Sequence, residues 1–186
     1  LFLFFSFSSG FLVFVFVCVF FFVFLLGGGG GGFLLNFFLG FIMGDLERGP
    51  LRSSLFHFHK SMGILLLGLI ILRLLWRVIN TTPIHLSNNQ LIKRISKFVH
   101  YSFYLILLIV TFSGWIYSTA RAGPVDVFGL FYMPAIVEKN DIIGQIAKDV
   151  HIYSVYIFIS FVIIHIFASI YHHFFLKDKT LKRMWY

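Results

Sequence analysis

One cysteine, Cys18, occurs in 186 residues. That excludes an intramolecular disulfide and any metal site built from several thiolates. Charge is scarce as well: Asp, Glu, Lys and Arg make up 12% of the chain, and only seven residues are acidic. A soluble domain needs far more polar surface. No charged residue precedes Asp45, so the basic start of a secretory signal is missing. No histidine precedes His57. The six glycines at 27–32 lack the strand, the spacing and the Lys of a phosphate-binding loop, which excludes a nucleotide-binding enzyme of that kind.

What the chain does have is apolar length. Hydrophobic residues make up 59% of it, 27 of them Phe, and the mean hydropathy is +0.93. This composition defines an integral membrane protein. The formal charge of +8 is concentrated in loops and the C-terminal tail. It reads as a topology signal and lipid contact, with no nucleic-acid partner. Eight histidines in so hydrophobic a chain are the distinctive signal.

Two parts follow from the pattern: an anomalous apolar and Gly-rich segment at 1–32, which belongs in part to a first helix, and a membrane domain at 33–186. The first helix is expected to end near Gly44, before a loop at 45–54 in which Pro50 stops helix continuation. Further helices are expected at about 55–75, 99–117 and 149–175. The connection at 78–98 holds Lys93, Arg94 and Lys97 and no acidic residue, so it is placed in the cytoplasm. The loop at 118–147, with its edges, sets Asp126, Glu138, Asp141 and Asp149 against Arg121, Lys139 and Lys148, and is placed outside. The tail, with Lys177, Lys179, Lys182 and Arg183 against Asp178, returns inside. The expected fold is an all-α antiparallel four-helix transmembrane bundle with both termini cytoplasmic.

Within the last helix His151 and His165 are fourteen residues apart. That is roughly 21 Å of helix rise, and the two imidazoles leave within about 40° of one face. A bilayer core is about 30 Å thick, so one helix can hold a ligand for each of two stacked metal centres. Haem suits such a space, since it takes axial His and fills apolar volume. Two ordinary buried histidines would give the same spacing. His59 starts the second helix on the outer side, as His151 starts the fourth, so these two can face one another across one iron. His165 needs a partner on the inner side, near the start of helix one or at His100. Arg73, fourteen residues after His59, can snorkel at the border, pair with a haem propionate, or meet a quinone oxygen. His172 and His173 sit at the inner headgroups, as interfacial residues or a quinone-binding edge.

These residues carry a family resemblance. The runs His59-Lys60-Ser61-Met62-Gly63-Ile64 and Arg73-Leu74-Leu75-Trp76-Arg77 resemble helix two of the bacterial cytochrome b561 family. His100 with Tyr104 and Gly114-Trp115 resembles its helix three. His151, His165, His172-His173 and the run Lys177-Asp178 through Leu181 and Arg183-Met184 resemble its fourth helix and tail. The likeness covers about 41–184 and is greatest to the small members that oxidise superoxide. It implies an inner-membrane cytochrome with two haems b, ligated by His59 and His151 on the outer side and by His165 on the inner. The family's fourth ligand comes from an Arg-x-x-His-Trp-like segment in helix one, absent here. Three arrangements stay open: an N-terminus that differs from this one, an inner haem that is five-coordinate or uses His100, or one haem only. The implied activity is electron transfer from superoxide to ubiquinone, with Lys60 attracting the anion. A haem-b subunit passing electrons from a dehydrogenase or hydrogenase is the alternative, and a haem-free assembly factor a third reading.

Overall fold

In the computed structural model, residues 30–80 and 90–174 are described. Expectations about 1–29, the middle of the basic connection and the charged tail lie outside them. Four helices and one small hairpin follow in order: α1 (Gly30–Asp45), α2 (Pro50–Ile79), α3 (Gln90–Ala122), β1 (Val125–Val127), β2 (Phe131–Met133) and α4 (Asp141–Phe174). Helices α2, α3 and α4 are long and apolar enough to cross a membrane. The chain divides into two compact units. One is Leu39–His165; the other includes the described residues 30–38 and 166–174.

Each long helix outruns its expected span. Pro50 does not stop a helix but begins one: it occupies the first turn of α2, where its missing N–H costs nothing. At about 1.5 Å per residue, 30 residues reach roughly 45 Å, well past the hydrocarbon core. Apolar runs mark the part inside lipid; the ends beyond it carry polar residues and so escape that signal. The start of α4 is fixed instead by a cap. Asn140 Oδ1 accepts the N–H groups of Ile142 and Ile143, each at 3.0 Å, and Asp141 adds negative charge to the first turn.

Within residues 39–165 neighbouring helices run antiparallel. Arg52 Nε donates to the Met43 carbonyl across the α1–α2 turn. Arg73 Nε reaches Tyr104 between α2 and α3. Phe103 of α3 packs edge-on against Phe158 and Phe161 of α4, and at the other end of this pair Arg121 meets Asp141 at 3.2 Å. The tightest packing lies along one face of α2, where Met62, Leu66 and Ile70 are fully buried.

The expected outer loop contains a structure of its own. β1 and β2 pair antiparallel, with Val125 opposite Met133 and Val127 opposite Phe131. Phe128 and Gly129 both take positive φ, 54° and 72°, as the turns that fit a twisted hairpin require. For Phe this is a strained backbone. Two contacts offset it: Phe128 N–H donates to Ser61 Oγ at 3.1 Å, and its ring lies edge-on to Phe58. Val125 and Val127 are buried, so the hairpin is clamped over the start of α2.

Candidate functional site

Two histidine pairs form within residues 39–165. His59 of α2 faces His151 of α4 near the hairpin, with ring centroids 6.2 Å apart and planes at 86°. His100 of α3 faces His165 of α4 toward the opposite end, with centroids 6.4 Å apart and planes at 59°. The first pairing joins the two residues expected to share a centre. The second joins His165 to the one expected candidate within the described residues.

The hairpin-side pair is held by the backbone around it. His151 Nδ1–H donates to the Val110 carbonyl at 2.7 Å, which leaves Nε2 with its lone pair for a metal. The same carbonyl accepts from Ser113 Oγ at 3.0 Å. Gly114 makes the approach possible: a Cβ there would lie 2.9 Å from His151 Cε1. Gly40 does the same for His59, where a Cβ would lie 3.0 Å from Cε1. The opposite pair is seated by Phe103, whose ring stands edge-on to His165 at 5.5 Å.

The remaining expected residues lie elsewhere. Arg73 is at the His100 end, with its Nε donating to Tyr104 Oη at 3.1 Å. His172 and His173 belong to the last turn of α4, and their side chains are outside the description. Beside the hairpin lies a cavity of about 620 Å³, lined among others by Arg48, Arg52, His57, Lys60, Ser118 and Asp126. His57 Nε2 is 3.0 Å from Asp126 Oδ2. Sequence reasoning found Lys60 but not Arg48, Arg52 or His57 beside it. Their signal was weak, since the loop at 45–54 balances its charges along the sequence and only folding collects the basic ones.

Membrane-spanning helices carrying facing histidines at two levels define a class: helical membrane proteins able to hold a metal-centred macrocycle between helices. The chain matches the family model described as prokaryotic cytochrome b561 over residues 27–186. It is also 36% identical over 127 residues to cytochrome b561 homolog 2 of Escherichia coli (strain K12), covering 68% of each chain. The chain belongs to the prokaryotic cytochrome b561 family; it is a bacterial membrane b-type cytochrome that works in electron transfer.

The family's cofactor, haem b, suits the residues present. Among the described residues no group of three or more His, Cys, Asp or Glu could hold a bare metal ion; the donors come in pairs. A metal about 2 Å from each of two imidazole nitrogens sets ring centroids roughly 6 Å apart, close to both spacings. The absent side chains at Gly40 and Gly114 leave room for the two imidazoles of the hairpin-side pair.

Proposed function

We propose that the protein holds two haems b and carries electrons from superoxide on the hairpin side to ubiquinone on the other. His59 and His151 ligate the first haem; His100 and His165 ligate the second. The observation that carries this reading is the double pairing of histidines, at 6.2 and 6.4 Å, at two levels of α4 roughly 21 Å apart by helix rise. Bound haem supplies a reversible one-electron couple.

The protein's own residues do the rest. The two imidazoles of each pair would hold the haem between them, and the haem would supply one-electron transfer to substrates outside the pocket. Val110 fixes the His151 tautomer. Phe103 sets an aromatic edge against His165 and gives that pair an apolar wall. Arg48, Arg52 and Lys60 gather positive charge at the hairpin-side cavity, beside the His57–Asp126 pair, which draws a small anion toward His59. In this reading the hairpin lies on the outer face of the inner membrane and both termini are cytoplasmic, which the basic connection and tail support through their charge.

The test is superoxide-dependent reduction of ubiquinone by purified, haem-loaded protein. The expected result is a rate well above the uncatalysed reaction. No acceleration at full haem loading would sink the reading.

A further inference from the structure

We propose that Arg73, Arg77, Tyr101 and Tyr104 form the quinone-reduction site, with Tyr104 as its proton donor. This rests on ubiquinone as the acceptor, as read above. Arg73 Nε donates to Tyr104 Oη at 3.1 Å. The Arg77 guanidinium lies 5.0 Å from the Tyr101 ring centroid and 5.4 Å from that of Tyr104. Two cations and two aromatic faces are thus gathered on one side of the α2–α3 pair. A border arginine that merely snorkels to headgroups has no need to turn its Nε onto a phenol.

The chemistry fits a quinone. Its ring is flat and apolar, and its two carbonyl oxygens accept hydrogen bonds. The arginines offer N–H donors and the tyrosines a stacking face. The approach is open, since Tyr101 is 59% exposed and the adjoining Trp76 69%. An apolar molecule travelling in the bilayer reaches such a face directly. Position matters too: Tyr104 follows His100 by four residues on α3, so both share one helix face. The electron source and the proton source therefore adjoin.

Arginine does not deprotonate in proteins, so within the cluster only a tyrosine can hand over a proton. In Tyr104 the Arg73 contact falls on the oxygen as acceptor, which leaves the O–H hydrogen to donate. Quinone reduction consumes two protons and two electrons, which a haem held by His100 and His165 would supply one at a time. The Tyr104 O–H bond breaks as an O–H bond forms on one quinone carbonyl oxygen. Water at the membrane border restores the Tyr104 proton and supplies the second carbonyl oxygen with its own.

The test starts from haem-loaded protein reduced with dithionite and mixed rapidly with decylubiquinone, following haem reoxidation by absorbance. Tyr104→Phe is expected to slow reoxidation by about 100-fold, the lower range for a lost general acid. Reoxidation by ferricyanide, which takes no proton, is expected to keep the parent rate. The parent should slow in deuterium oxide and the variant should not. Arg73→Gln should raise the quinone concentration giving half-maximal rate. Parent-like quinone rates in Tyr104→Phe would overturn the proposal, as would equal slowing with ferricyanide, which marks an effect on the haem itself. A shifted haem potential in Arg73→Gln with unchanged quinone saturation would overturn it too, by turning the arginines toward a haem carboxylate. A parent reoxidised by ferricyanide but not by quinone would overturn the quinone reading and this site with it. Photolabelling of the parent with an azidoquinone needs no variant: label at 101–104 supports the site, and label confined elsewhere contradicts it.

Discussion

At Gly114 the volume of an absent side chain is taken up by the His151 ring. Gly114→Ala would set a methyl 2.9 Å from Cε1 and 3.0 Å from Nδ1. The imidazole would have to leave both its Val110 carbonyl bond and its place opposite His59. Gly68 is the matched control, since a Cβ there meets nothing within 4 Å. Gly114→Ala should therefore cost close to one haem per chain, read by pyridine haemochrome. Gly68→Ala should keep full haem and gain up to about 1 kcal/mol of helix propensity. At this scale the sequence was partly legible. His59, His151 and His165 stood out because imidazoles are costly in lipid and these recur at helical spacing. Gly114 was legible only within the resemblance, as Gly114-Trp115, and nothing there showed which ring it admits. The Val110 carbonyl carries no signal in its side chain, and Gly40 is one glycine among sixteen.

Among the elements, the helices followed from hydropathy, but their ends did not. Asn140 caps α4 with a side chain that also suits any turn, and Pro50 opens a helix as readily as it closes one. The hairpin was hidden for a different reason. Its strands are three residues each, too short for alternation to show, and they are stabilised by docking on α2. Ser61 makes that dock. Its Oγ donates to the Asp126 carbonyl and accepts from Phe128 N–H, both at 3.1 Å, and the residue is fully buried. Ser61→Ala removes the partner of two part-buried backbone groups, at a cost of about 1 kcal/mol. The expected outcome is faster hydrogen exchange at the Phe128 amide and a lower Tm, with haem spectra retained.

At the scale of the whole molecule, folding brings basic side chains to the same end as the His59–His151 pair. Arg52, His57 and Lys60 come from the first turns of α2 and Arg48 from the turn just before it, the same stretch that supplies His59. Attraction of an anionic donor is a field effect, so it should weaken as salt shortens the screening length. Arg52→Glu should lower the second-order rate with superoxide several-fold at low ionic strength and flatten its salt dependence, measured by pulse radiolysis. An unchanged salt profile would remove the cavity from the donor path.

The central claim is that two histidine pairs hold two haems. Haem-to-protein stoichiometry, determined together with low-temperature spectra on the parent and on His59→Ala and His100→Ala, tests it most directly. Two low-spin haems are expected in the parent. Each variant should keep one of them, and the two variants should lose spectroscopically different ones. A parent with a single haem, or His100→Ala retaining both as low-spin centres, would contradict it.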